Sequence, residues 1–334
     1  MPSPIPVHRI LPKGFPAAIT LRPCSSPNQF RGKRRNFSFV KQSNGELPQC
    51  PWYTVIWDEL KLLDLLGSGG FGWVYKGIYY GKTVAIKKVR KCTKNKLAAR
   101  QSFWAELNVA HLAHENIVKV VAATTSVPAN PQAEDSVGTI IMEYAGGTSL
   151  DHRIYNCAHP LDVGECLRFS SDIVSGLSFL HSHSIVHLDV KPANVLITES
   201  GRCKIGDFGC SHKLAATSDL TPNGQLRHLG GTYTHRAPEL LRGRNATLKA
   251  DIYSFAITLW QMMSGDHPFS GDRQCVMYAV VAYNLRPSFS HVFDETLVGR
   301  KVRSVIDHCW KVEPIDRPSA EQLFETITNL NSLL

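Results

Sequence analysis

The chain has 334 residues, 43% of them hydrophobic, enough for one large or two modest globular cores. No stretch of about 18 apolar residues occurs, so no membrane-spanning helix is expected. The formal charge of +9 is concentrated: residues 1–50 carry eight Lys/Arg and one Glu, the remainder 29 and 27, so the basicity belongs to a tail and not to a nucleic-acid-binding face. Neither nucleic acid nor membrane is expected as a partner. The N-terminus has prolines at 2, 4, 6, 12 and 16 and no apolar signal core, so secretion is not expected, and Pro2 in place of Gly removes N-myristoylation. Nine scattered cysteines without a Cys-x-x-Cys point to reduced thiols in a cytoplasmic protein.

Residues 1–50 are rich in Pro, Ser and basic groups and show no helical or strand period, so they are expected to be mostly disordered. Ser3-Pro4 matches a proline-directed phosphorylation site, and a chance Ser-Pro pair fits as well. The basic run 31–35 reads as a nuclear-import or acidic-partner patch, or as a solvated charge run. Order is expected from Trp52. Residues 60–66 read as a strand running into Gly67-Ser68-Gly69-Gly70-Phe71-Gly72-Trp73-Val74. Glycines at this spacing let a backbone approach phosphates. A dinucleotide-binding fold would need a helix next, but 74–79 reads as a second strand. Trp73 is bulky for its place and either covers a nucleotide or packs locally.

The third strand, 83–87, ends in Val84-Ala85-Ile86-Lys87, with Lys88 on the opposite face. Residues 96–112 read as a helix with Phe103, Leu107 and Ala110 on one face. Glu106 is the only acid between Lys87 and Glu115 and is the expected partner of Lys87. A strand over 117–123, a loop over 124–138 and a strand over 139–144 follow. Asp162 and Glu165 form a capping box before a helix whose buried stripe is Cys166, Ser170, Ile173, Val174, Leu177 and Leu180.

That helix delivers His187-Leu188-Asp189-Val190-Lys191-Pro192-Ala193-Asn194. Asp189 and Asn194 stand at an Asp-x-x-x-x-Asn spacing on this loop, which alone also fits a His/Asp/Asn-rich turn. Short strands at 195–197 and 203–205 lead to Asp207-Phe208-Gly209. Cys210 beside it is either a redox-sensitive thiol or a small packed residue. Residues 210–231 form a polar segment, expected to be mobile, before Thr232 and Ala237-Pro238-Glu239. Residues 248–263 suit a buried helix, with Asp251 near its start. Helical patterns follow at 273–283 and 299–309, and Ser319 with Gln322 caps a last helix.

In this order and at these spacings the motifs resemble the eukaryotic protein kinase family over about 58–334. The resemblance implies an α+β bilobal fold, with a small β-rich N-lobe holding one helix (about 58–144), a larger helical C-lobe (about 148–334) and ATP between them. It implies that Gly67, Ser68, Gly69, Gly70, Phe71 and Gly72 cover the phosphates. Lys87, held by Glu106, would grip them. Val74, Ala85 and Leu196 would join the nucleotide site, with Met142 as gatekeeper and the backbones of Glu143 and Ala145 facing the adenine. Asn194 and Asp207 would hold Mg²⁺. Asp189 would orient the substrate hydroxyl and accept its proton, Lys191 would neutralise the γ-phosphate, and Glu239 would pair with Arg317. Lys191 with Pro192, and Thr232, match the serine/threonine branch.

Leu188 departs from the family, which usually has Arg there to pair with an activation-segment phosphate; the expectation is a kinase that needs no such phosphate. Ser102–Asn108, Asp207–Ser211, Gly230–His235 and Ala279–Pro287 reach beyond the shared motifs and resemble germ-cell serine/threonine kinases of the MAP kinase cascade. That resemblance implies a MAP kinase kinase as protein substrate and a role in oocyte meiotic maturation and metaphase arrest; a monomer is expected, although the sequence itself does not show the oligomeric state. The alternatives are a related kinase with another substrate, or a pseudokinase scaffold, against which the presence of Lys87, Asp189 and Asp207 weighs.

Overall fold

The computed structural model describes residues 55–69, 72–90, 96–125, 136–214 and 231–334. The tail with Ser3 and the 31–35 run, Trp52, Gly70, Phe71 and the stretch 215–230 with Thr217, Ser218 and Thr221 lie outside them.

Five strands form the first layer: β1 (Leu60–Gly69), β2 (Gly72–Tyr79), β3 (Lys82–Arg90), β4 (Val120–Thr124) and β5 (Ser136–Glu143). Their order is β1-β2-β3-β5-β4, all neighbours antiparallel. Side chains alternate across a strand, so β3 serves two cores. Val84 and Ile86 pack with Tyr79, Val121 and Ile141 on one face. Val89 packs on the other with Ile140 and with Ala99, Phe103 and Leu107 of helix α1 (Lys96–Asn108). Lys87 therefore lies mid-sheet and buried, not on an edge strand.

Several boundaries differ from expectation by a few residues, three of them with a visible cause. Helix α1 ends at Asn108, not 112, because Val109, Ala110 and Leu112 donate their N–H groups three residues back, a tightened exit. The fourth strand starts at Val120; Ile117 makes only a single parallel bridge to Ile205. The fifth starts at Ser136, which still pairs with Arg90, and ends at Glu143.

The second layer is helical. Short strand β6 (Thr148–Ser149) leads into α2 (Leu150–Tyr155) and then α3 (Val163–Ser182). The Asp162 carboxylate accepts the Glu165 N–H at 2.7 Å, and the expected stripe from Cys166 to Leu180 is fully buried. Strands β7 (Ile185–Val186), β8 (Val195–Ile197), β9 (Cys203–Ile205) and β10 (His212–Lys213) carry the connecting loops. Helices α4 (Pro238–Leu241), α5 (Lys249–Ser264), α6 (Arg273–Ala282), α7 (Leu297–Cys309) and α8 (Ala320–Asn331) complete the layer. Ser319 and Gln322 form the expected box before α8. Helix α5 is buried from Ala250 to Met263, and its polar side chains Asp251, Ser254, Thr258 and Gln261, which recur at helical spacing, all find partners inside the fold. Among the described residues no helix is long and apolar enough to cross a membrane.

A buried ion pair ties α4 to the chain before α8. Arg317 donates to both Glu239 oxygens at 2.7 Å. Its remaining donors reach the carbonyls of Lys249, Lys311 and Val312, so all five guanidinium N–H groups are used. Complete pairing is what makes a buried charge tolerable.

His235 is buried where the chain enters α4. Its Nε2 lies 2.6 Å from Gln261 Oε1, an acceptor, so Nε2 carries the proton and donates. Nδ1 then accepts from the Thr234 hydroxyl at 3.0 Å. Burial disfavours the imidazolium and lowers its pKa to about 4. Between that value and about 6.5 the unfolded chain binds a proton that the folded one refuses, so stability rises with pH across this window. Going from pH 7.5 to 4.5, urea denaturation should show a loss that includes about 3 kcal/mol from this residue. His235→Gln should flatten that part of the slope; an unchanged slope would contradict the assignment.

Candidate active site

The register of the sheet puts Val74 opposite Lys87, and Ala85 opposite Met142. Residues directly opposite share a face, so Val74, Ala85, Lys87 and Met142 all look toward the α1 side. Lys88 lies on the other face, its ammonium 5.7 Å from the Tyr75 ring. Lys87 forms a short ion pair with Glu106 of α1 and a second with Asp207 Oδ1 at 2.7 Å. Burial opposes the charge of Lys87, but the Glu106 and Asp207 carboxylates outweigh it and raise its pKa, so it stays a cation. Burial raises the Glu106 carboxyl, with Lys87 opposing. Burial also works against ionised Asp207, but Lys87, helped by His187 and Lys191, takes it down to about 2.

The loop between β7 and β8 is fixed from below. Asp251, fully buried on α5, accepts the N–H of His187 and of Leu188, each at 2.8 Å, and contacts His181 Nε2 at 2.9 Å. Leu188 has φ of +66°, a left-handed conformation that non-glycine residues rarely adopt. Its side chain enters the apolar core of the helical layer. His187 donates through Nε2 to the Gly206 carbonyl (3.1 Å), accepts the Asp189 N–H on Nδ1 (3.2 Å) and packs edge-on against Phe208.

Asp189 is buried and surrounded by donors. Oδ1 accepts the Thr232 N–H at 2.8 Å; Oδ2 accepts the Asn194 amide at 3.0 Å and pairs with Lys191 at 2.9 Å. Lys191 also donates to the Thr232 hydroxyl at 2.6 Å. Asn194 spends its amide nitrogen on the Asp189 carboxylate and carbonyl, which leaves its oxygen without a partner among the described residues. The Asp207 side chain is 36% exposed despite its bond to Lys87. An amide oxygen and a carboxylate are hard oxygen donors, the set that suits Mg²⁺.

Gly67 and Gly69 have open space where a side chain would stand. Gly72 is different: a Cβ there would lie 2.0 Å from the Lys88 carbonyl oxygen, so only glycine lets β2 cross β3 at that point. Ala145, buried just after β5, precedes Gly146, where a Cβ would meet the Ile197 carbonyl. Leu196 is half-buried on β8. Glu143 uses its side chain to accept the Lys119 N–H and to pair with Lys204 at 2.9 Å. Of the residues expected in the site, only Gly70 and Phe71 lie outside the described ones.

Two open readings close. Trp73 packs locally, with the Arg90 guanidinium 3.7 Å from its ring centre. Cys210 is a core residue whose thiol burial pushes up to about 12, so it is no reactive thiolate. The sequence reading missed Asp251 as the anchor of the catalytic loop. Its signal was an acid near the start of a mostly apolar helix, on the same side as Ser254, Thr258 and Gln261.

A protein kinase domain matches residues 60–327. The chain is 51% identical to the serine/threonine-protein kinase mos of Xenopus laevis, over 98% of this chain and 92% of that protein. It is 50% identical to the serine/threonine-protein kinase mos of Gallus gallus, and 49% identical to the proto-oncogene serine/threonine-protein kinase mos of Sus scrofa, each over the full length of both chains.

Proposed function

The chain belongs to the protein kinase family, among the mos-type serine/threonine kinases, and from that premise we propose which residues carry the phosphotransfer and what it acts on. Protein kinases use ATP with Mg²⁺ and act on protein hydroxyls. The observation that carries the reading is the Asp189 carboxylate, ringed by Thr232, Asn194 and Lys191, with Asp207 nearby on Lys87.

Bound ATP–Mg²⁺ supplies the phosphoryl group and much of the neutralising charge. The chain supplies position and fixed charge. Asp189 orients the substrate hydroxyl and accepts its proton late in the transfer. Lys191 offers positive charge beside that carboxylate. Lys87, kept cationic by Glu106, grips phosphate oxygens, and Asn194 and Asp207 hold the metal. Gly67 to Gly72 cover the phosphates. Val74, Ala85, Met142 and Leu196, with the Glu143 and Ala145 backbones, hold the adenine. Residues 58–334 form the catalytic domain in this reading, with lobes at about 58–144 and 148–334 and a basic tail over 1–50.

The substrate we propose is a MAP kinase kinase, phosphorylated on serine by a cytoplasmic, monomeric enzyme in oocyte meiotic maturation and metaphase arrest. Identity of about half across full-length mos kinases supports it. Purified protein with ATP and Mg²⁺ should place phosphate on serine of a catalytically inactive MAP kinase kinase. Lys87→Ala and Asp189→Asn should each lower the rate at least about a hundredfold. Transfer only to a generic Ser/Thr acceptor would keep the enzyme and remove this substrate.

Leu188 bears on regulation. Buried and apolar, it offers an activation-segment phosphate no cation. Replacing Thr217, Ser218 and Thr221 together by Ala should leave most of the activity in the same assay; a collapse would contradict independence from that phosphate.

A further inference from the structure

We propose that Ser102 is a positioning residue of the phosphotransfer site: its hydroxyl holds the Glu106 carboxylate once Asp207 leaves Lys87 for the metal. The inference rests on the phosphotransfer reading above and adds how α1 keeps its grip on Lys87 during the reaction. Ser102 lies on α1 and is 1% exposed. Its Oγ has no hydrogen-bond partner among the described residues. Ser254 and Thr258 of α5, buried as deeply, donate to the carbonyls of His235 and Ser254. Buried polar groups are nearly always paired, and an unpaired one carries the full cost of its lost water.

Packing alone does not account for the hydroxyl. Alanine would fill the same place, would leave no oxygen stranded and is the better helix former. What packing demands here is a small residue, because the turn that follows Asp207 rests on this part of α1. The Ser211 hydroxyl donates to the Ala105 carbonyl at 3.3 Å and docks the turn on the helix. Gly209 lies in that turn, and a Cβ on it would run into the Ser102 hydroxyl.

The surroundings of that oxygen identify its acceptor. The point where a Gly209 Cβ would stand is also 3.3 Å from Asp207 Oδ1 and 3.5 Å from Glu106 Oε1. One hydroxyl and two carboxylates therefore gather around a single Cα. Glu106 follows Ser102 by four residues, so the two share a helix face. Side chains on a helix lean toward its N-terminus, and Glu106 reaches back over Ser102.

In the arrangement described, Lys87 bridges Glu106 and Asp207, and each carboxylate steadies the ammonium for the other. Phosphotransfer needs a different arrangement, with Asp207 on the metal and Lys87 on phosphate oxygens. Glu106, fully buried, is then the one carboxylate left to hold Lys87. A turn of the Ser102 hydroxyl onto Glu106 fixes that carboxylate and ends its own isolation. A hydrogen bond to a charged acceptor is stronger than one between neutral groups. The gain falls in the second arrangement only, so Ser102 biases the site toward it.

Ser102→Ala separates the two arrangements. Without added nucleotide, urea denaturation should find the variant at least as stable as the unmodified protein, because the stranded oxygen is gone. With a non-hydrolysable ATP analogue and Mg²⁺, the variant should show a smaller rise in Tm and a Kd at least about fivefold higher. With the analogue but no Mg²⁺, the two proteins should bind alike. In the phosphotransfer assay above, kcat should fall at least about tenfold. A variant less stable without nucleotide would make Ser102 a packing residue and overturn the proposal. Unchanged affinity in the presence of Mg²⁺ would overturn it as well. An unmodified protein that transfers phosphate to no acceptor would instead overturn the phosphotransfer reading, and this role with it.

Discussion

The Asp251 carboxylate is the constraint on which the site depends. It is fully buried at the foot of α5 and accepts two backbone N–H groups from the loop above. A charged acceptor makes these bonds stronger than neutral ones. They offset the cost of holding Leu188 in a left-handed conformation, roughly 1–3 kcal/mol for a non-glycine residue. Once Leu188 turns that way, its side chain drops into the core. His187 is fixed between Gly206 and Phe208, and Asp189 points back toward Asn194, Lys191 and Thr232. Helix α5 is buried all round, so the anchor sits on one of the least mobile parts of the chain.

Across from this loop, Lys87 is the meeting point of β3, α1 and the loop carrying Asp207. Two carboxylates share one ammonium. A buried cation would otherwise be costly, and the second acid keeps it charged. The same arrangement keeps Asp207 ionised and leaves part of it open to solvent, the state a metal ligand requires. The two halves of the site meet through Asp207, bonded to Lys87 and followed by Phe208, which packs on His187.

Much of this was legible in the sequence. Lys87, Glu106, Asp189, Asn194 and Asp207 stand at spacings that few other folds share, and the pairing of Lys87 with Glu106 follows from charge; the bonds of Lys87 to Asp207 and of Asp189 to Asn194 and Lys191 were not legible. Capping boxes at Asp162 and Ser319 announced two helix starts because the bonds are local. Boundaries set by distant partners were not legible. Helix α1 stops at Asn108 because its exit tightens, and β5 starts early because Arg90 offers Ser136 a partner. Leu188 was visible as a departure, but its backbone conformation was not, since that depends on Asp251, 63 residues away. The unpartnered Ser102 hydroxyl was equally hidden: a serine within a helical period reads the same whether or not its oxygen is paired.

The central claim is that Asp251 sets the geometry of the catalytic loop through two backbone bonds. Amide hydrogen exchange of the loop, together with phosphotransfer kinetics, in Asp251→Asn tests it most directly. The account predicts that protection at His187 and Leu188 is lost and that kcat falls at least a hundredfold, while ATP affinity changes only a few-fold. Unchanged protection with near-normal kcat would contradict it.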